Sequence, residues 1–232
     1  MKIFAHISWL FATLIIFFAL ILMIILYYLV PKPYSRKISS WFIRLSIFFS
    51  ADIRGEEDPD TQMFLLNHQS DLDIALMETT TSKDLAWVAK KELFEIPFFG
   101  LALRLPNDIA VQRESKTSLI KLLRDAKRVL QENRVITMFP EGTRSTRGKM
   151  LAFKSGAKLV ADKYKLKVQA VVLIQTSKYY NVKKFIYRPG KIKVVYLDSF
   201  IADKTDKEWL NKLRDKMQRV YDNELTNNIS NR

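Results

Sequence analysis

Asn67-His68-Gln69-Ser70-Asp71-Leu72-Asp73 is the stretch on which the reading of this chain turns. The apolar run Met63 to Leu66 before it reads as a buried strand, and Ile74-Ala75-Leu76-Met77 after it reads as a helix. Ser70 and Asp73 have the S-x-x-[DE] spacing of a capping box, which predicts Ser70 as N-cap and puts Asp73 in the first turn. His68 then lies just outside the helix; it is one of only two histidines in 232 residues. On one continuous helix, side chains five residues apart point about 140° away from each other. Across a strand-to-helix turn they meet. An Asp73 carboxylate on one ring nitrogen of His68 leaves the other nitrogen free as a base. The alternative is a turn histidine beside an ordinary capping box.

A second stretch, Phe139-Pro140-Glu141-Gly142-Thr143-Arg144-Ser145, leaves a strand expected over residues 135–139. Gly142 permits a backbone conformation that other residues avoid. Exposed N–H groups on such a turn cradle anions or an oxyanion. No G-x-S-x-G occurs anywhere, which argues against a serine hydrolase.

Working outward, residues 7–30 carry no charge and as a helix would run about 36 Å, slightly more than a bilayer's hydrocarbon core. The run is too long and too aromatic for a signal peptide. Lys32, Arg36 and Lys37 follow it, whereas Lys2 and His6 precede it, which predicts a cytoplasmic location for the rest of the chain. Over residues 34–49, Ile38, Trp41, Phe42, Leu45, Phe48 and Phe49 recur at helical spacing, with Arg36, Ser40 and Arg44 opposite. This predicts an interfacial helix whose basic face meets lipid headgroups. Pro31 and Pro33 would make the turn of a helical hairpin dipping into one leaflet. Residues 51–61 are polar and acidic and read as a linker. The expected division is a membrane-associated helical segment, 1–50, and a catalytic domain, 51–232.

Within that domain, strands are expected at 62–66, 85–89, 109–112, 135–139, 168–175, 185–187 and 192–197, with a turn at Pro189-Gly190. Helices are expected from Ser70 to about 81, broken over 91–104 around Pro97 and Gly100, and over 117–132, 155–165 and 206–221. Leu119, Ile120, Leu123, Ala126, Val129 and Leu130 define the apolar face of the 117–132 helix. Residues 222–232 read as a polar, frayed end. Strands alternating with helices predict an α/β fold, a mixed and mostly buried sheet flanked by helices.

The net charge of +14 suits an anionic bilayer, a phosphate-bearing substrate, an acidic carrier protein or nucleic acid. The absence of cysteine excludes disulfides, thiol chemistry and thiolate metal sites. Two histidines in separate regions argue against zinc. A nucleic-acid-binding domain would account for the charge but not for the membrane segment.

The two motifs together resemble the hallmarks of the glycerolipid acyltransferase family, H-x4-D and F-P-E-G-T-R-S, and look most like the bacterial 1-acyl-glycerol-3-phosphate acyltransferases. The resemblance covers residues 62–175. It implies a glycerol-phosphate acyltransferase-like fold and transfer of a fatty acyl group from acyl-ACP or acyl-CoA to the sn-2 hydroxyl of lysophosphatidic acid, giving phosphatidic acid. It implies His68 as base and Asp73 as its orienting acid. Arg113 and Lys90 are the implied phosphate ligands, with Arg144 adding to them. Glu141 would bind acceptor hydroxyls, and Gly142 and Thr143 complete the substrate-binding turn. Two residues depart from the pattern before Arg113: Asn107 stands at the usual glycine and Gln112 at the usual aspartate. A strand motif like V-P-V is partial, with Ala170 at the usual proline. No cofactor or metal is expected beyond the thioester co-substrate, and no nucleic acid partner. The implied location is the cell inner membrane, catalytic domain in the cytoplasm. Rival expectations are another lysolipid acceptor, or a non-catalytic membrane-binding module of the same fold.

Overall fold

In the computed structural model, which describes residues 2–30, 34–46, 49–112, 116–145 and 148–230, two helices come first, α1 (Lys2–Leu29) and α2 (Tyr34–Ser46). The chain continues as β1 (Phe49–Arg54), β2 (Met63–Leu66), α3 (Leu72–Thr80), β3 (Leu85–Lys90), α4 (Lys91–Glu95), α5 (Phe99–Arg104), β4 (Ile109–Val111), α6 (Lys116–Gln131) and β5 (Val135–Met138). It ends with α7 (Ser155–Tyr164), β6 (Lys167–Leu173), α8 (Thr176–Tyr179), β7 (Tyr180–Asn181), β8 (Ile186–Tyr187), β9 (Gly190–Tyr196), β10 (Phe200–Ile201) and α9 (Trp209–Ser230).

The main sheet has the order β1-β9-β6-β2-β5-β3-β4, with β10 also on β6. Strands β6, β2, β5, β3 and β4 are parallel, β9 is antiparallel to β6, and β1 is parallel to β9. The central strands read as continuous apolar runs because helices cover both faces. Every residue of β2 and β5 is buried. One apolar cluster joins the sheet to Leu122, Ala126 and Val129 of α6, Val160 of α7, and Leu213 and Met217 of α9. The other joins Phe64, Leu66 and Leu173 to Leu76 and Met77 of α3 and Ala12 of α1. Each fully buried Leu or Phe in these clusters contributes about 1.5–3 kcal/mol. The carboxyl ends of the parallel strands lie along one edge, the place where such sheets carry their sites.

The expected mixed α/β fold is the one found, with several departures. Residues 49–54 form a strand rather than a linker, pairing from Phe49 opposite Gly190 to Arg54 opposite Val195. The expected division at residues 50 and 51 therefore falls inside β1. The α6 face is rotated: Leu122, Ala126 and Val129 are buried, whereas Leu119 and Ile120 are exposed. The i, i+4, i+7 row, not the outlying leucine and isoleucine, meets the sheet. Strands β8 and β9 flank Pro189 but do not pair with each other; β8 pairs with β7. Helix α9 runs on to Ser230. The Pro31–Pro33 turn lies outside the described residues.

The largest departure is in α2. Ser35, Arg36, Ser39 and Ser40 are buried, whereas Ile38, Trp41, Phe42 and Leu45 are exposed. Arg36 faces protein rather than headgroups: it reaches Asp108 at 2.6 Å and Glu78 at 3.3 Å, and donates to the Leu85 carbonyl at 3.0 Å. Lys37 donates to the Thr81 carbonyl at 2.9 Å. Two buried carboxylates need a cation, and that requirement sets which face of α2 points inward. Helix α1 packs on α2, on α5 and on β8 of the small β7–β8 sheet; its Thr13 hydroxyl lies 3.0 Å from the Tyr180 hydroxyl, and Trp9 meets Phe185 edge-on at 4.7 Å. Its stretch His6–Leu29 is long and apolar enough for a membrane, and Ile7, Phe11, Phe18, Tyr28 and Leu29 are exposed.

Candidate active site

Strand β2 ends at Leu66, and the turn to α3 is anchored at once by Asn67. Its amide nitrogen donates to the Leu173 carbonyl at 2.9 Å, and Leu173 N–H donates to its amide oxygen at 2.7 Å. The side chain thus continues the β2–β6 ladder for one more rung. His68 follows, freed from the sheet. Asp73 Oδ2 accepts three hydrogen bonds: His68 Nδ1 at 2.7 Å, Gln69 N–H at 2.7 Å and Ser70 N–H at 2.9 Å. Ser70 Oγ accepts from Leu72 N–H at 3.2 Å and donates to the Tyr180 carbonyl at 2.6 Å. The Ser70–Asp73 half of the capping box therefore forms, although the helix itself begins at Leu72. Asp73 is fully buried, so its charge is held in place by those three donors. With Nδ1 committed to Asp73, Nε2 is the nitrogen left for chemistry.

The second motif lies beside it because β5 neighbours β2. Glu141 is buried, and both its oxygens are taken: Oε1 accepts from His68 N–H at 3.0 Å and Oε2 from Leu151 N–H at 2.7 Å. Burial pushes its carboxyl above the usual range, against the pull of those two N–H groups. Gly142 sits at φ 68, and its N–H donates to the Phe139 carbonyl at 2.9 Å. Ser145 N–H donates to the His68 carbonyl at 2.8 Å, so the two loops are stitched in both directions. Phe139 stacks on the His68 ring, centroids 3.9 Å apart and planes 14° apart.

Residues 52–174 match the family described as Acyltransferase. The chain is 39% identical over 188 residues to a 1-acyl-sn-glycerol-3-phosphate acyltransferase of Helicobacter pylori, covering 81% of this chain and 79% of that one. The chain belongs to the acyltransferase family. It is also 28% identical over 207 residues to the 1-acyl-sn-glycerol-3-phosphate acyltransferase of Cocos nucifera, covering 83% and 66% of the two chains. The crystal structure of PlsC, the 1-acyl-sn-glycerophosphate (LPA) acyltransferase of Thermotoga maritima, has the same fold: TM-score 0.69, 22% identity, 97% of this chain and 95% of that one.

In this acyltransferase the expected residues do not all take the expected places. His68 and Asp73 meet. Glu141 is spent on backbone N–H groups rather than open to acceptor hydroxyls, and the Gly142 N–H is turned to Phe139. Thr143 and Arg144 are exposed at the rim, where Arg144 donates to Asp71 at 2.6 Å. Lys90 is exposed at the carboxyl end of β3, one strand from β5. Arg113 lies outside the described residues; the described chain before it stops at Gln112, just past the end of β4 beside β3. Asn107 takes φ 57, the left-handed conformation that asparagine tolerates best after glycine, so the replacement keeps a glycine-type turn.

Helix α9 adds residues that sequence reasoning passed over. The Tyr221 hydroxyl accepts from Gln69 Nε2 at 2.9 Å. Gln218 accepts from Met150 N–H at 2.7 Å and donates to the Gly148 carbonyl at 3.1 Å. The closing helix so holds the loops after β2 and β5. The available signal was the spacing of Tyr221 from Met217, Leu213 and Leu210, which puts it on the buried face.

Proposed function

We propose that this acyltransferase moves a fatty acyl group from acyl-ACP or acyl-CoA to the sn-2 hydroxyl of 1-acyl-sn-glycerol-3-phosphate, making phosphatidic acid at the cytoplasmic face of the inner membrane. The observation that carries the reading is the His68–Asp73 pair at 2.7 Å, placed at the carboxyl edge of a parallel sheet in a chain of this family. The acceptor hydroxyl gives its proton to Nε2 of His68 as its oxygen bonds to the thioester carbonyl carbon. Asp73 holds the ring tautomer and steadies the imidazolium. The carbon–sulfur bond breaks, and the departing thiolate takes the proton back. Among the described residues the N–H groups of Thr143 and Arg144 make no hydrogen bond and are the donors left on the turn for the oxyanion. Lys90 at the end of β3, and Arg113, which follows β4 in the sequence, would take the acceptor phosphate. The reading needs no cofactor and no acyl-enzyme, since the acceptor hydroxyl occupies the place of a nucleophile.

The test is a purified-enzyme assay with a panel of lysolipids and both donor types, on wild type and His68→Ala. Turnover is expected with lysophosphatidic acid, intersecting initial-rate lines, and none with the variant. Preference for a lysophosphodiester, parallel lines, or wild-type turnover in a folded His68→Ala protein would each overturn part of it.

A further inference from the structure

Phe139 has no assigned part in the reaction, yet its ring is the surface that His68 rests on. The two centroids are 3.9 Å apart and the planes 14° from parallel. Neutral aromatic pairs favour offset or edge-on arrangements, with centroids about 4.5–7 Å apart. A close, nearly parallel contact suits a cation lying on a π face. Behind Phe139, Trp87 of β3 stacks at 5.3 Å and 26°. Trp87 is itself fixed: its indole N–H donates to Glu78 at 2.8 Å, and Glu78 is held by Arg36.

We propose that Phe139, backed by Trp87, is a positioning residue that stabilises the imidazolium form His68 adopts while it carries the acceptor's proton. This rests on the reading of His68 as the base. The two constraints on the ring are complementary. Asp73 holds Nδ1 in the ring plane, and Phe139 fixes the tilt of that plane, so Nε2 keeps one direction. Charge appears on the ring as the acceptor O–H bond breaks and disappears when the thiolate is protonated, and the π face is in place throughout. The charged and titratable groups around the ring are Asp73 at Nδ1, Glu141 at the His68 N–H, the Asp71–Arg144 pair at the rim, and Tyr221 beyond Gln69. Asp73 and Phe139 both favour the cation, by different physics, and substitution separates them.

The experiment compares Phe139→Leu with Phe139→Tyr, reading kcat, acceptor KM and the pH profile of kcat/KM in the detergent-purified full chain. Phe139→Leu is expected to lower plateau kcat by about 3- to 10-fold and to move the acidic limb to lower pH by about half a unit, the size of one cation–π contact. Acceptor KM should hold, and Phe139→Tyr should restore both quantities. A fall in kcat with an unmoved limb would make Phe139 ordinary packing and overturn the proposal. If Phe139→Leu does not fold, a graded series of fluorinated phenylalanines at position 139 keeps the shape while weakening the π face. The limb should then move stepwise with fluorination, and an unchanged limb across the series overturns the proposal. Activity surviving in His68→Ala would instead strike at the base assignment, a separate outcome.

Discussion

Both carboxylate oxygens of Glu141 are bound to backbone, one to His68 and one to Leu151, so its work is to hold the histidine loop against the loop that follows the second motif. Glu141→Gln keeps the size but sets an NH2 group against a backbone N–H. The cost is about 1–3 kcal/mol, or roughly 3–10 °C in Tm. A thermal scan with steady-state kinetics should show lower Tm and lower kcat at nearly unchanged acceptor KM; a raised KM at unchanged Tm would mean that Glu141 touches substrate. The pH dependence has a definite sign. Burial holds this carboxyl above the usual range, so the folded protein binds the proton more tightly than the unfolded chain. Its contribution to stability therefore falls as pH rises from the ordinary carboxylate range through the raised value. That slope should be missing in Glu141→Gln. His68 and Asp73 were legible beforehand because their relation is local: a capping box fixes the four residues from Ser70 to Asp73, two positions past His68. The role of Glu141 was not, because Leu151 lies in a loop with no pattern of its own.

At the level of elements, α2 shows what an amphipathic pattern leaves open. The pattern locates a polar and an apolar face, and both orientations fit it equally. The choice came from Glu78 and Asp108, distant in sequence and both buried; Arg36 reaches both of them, whereas Arg134 reaches Asp108 at 3.5 Å. Burial pushes both carboxyls up, against the pull of Arg36. Arg36→Met should therefore cost about 3–5 kcal/mol at neutral pH. The loss should shrink as pH falls from neutral, because the raised carboxyls of Glu78 and Asp108 take protons sooner than ordinary ones; denaturant midpoints at neutral and mildly acidic pH measure this. Helix α9 gives a second case. Tyr221→Phe keeps the ring in the core but leaves Gln69 Nε2 without its acceptor. Loosening of the histidine loop should reduce kcat roughly tenfold or more, with a far smaller change in Tm than Tyr221→Ala gives. Equal loss in both variants would assign Tyr221 to packing alone.

Across the whole molecule, α1 and α2 pack on one another, and α2 packs on α3 and β1. Deleting residues 1–31 leaves α2 with Ile38, Trp41, Phe42 and Leu45 outward, and leaves the basic surface. The truncation should bind anionic vesicles in a salt-sensitive way, and adding Trp41→Ser and Phe42→Ser should abolish that binding in a sedimentation assay. Persistent binding of the doubly substituted truncation would show that charge alone suffices. The α/β alternation was readable because each central strand is an apolar run between turn residues. Strand β1 was not, since Phe-Ser-Ala-Asp-Ile-Arg alternates weakly and its partner lies at the far end of the chain. That pairing, Phe49 opposite Gly190 through Arg54 opposite Val195, orders the protein's assembly in time. The amino-terminal helices leave the ribosome first, with Arg36 awaiting Asp108 and β1 awaiting an edge that does not yet exist. Until β9 has been made, the nascent chain has an open strand next to an apolar surface. The exposed apolar side chains of α1 are then an aggregation hazard for as long as the sheet behind them is unfinished.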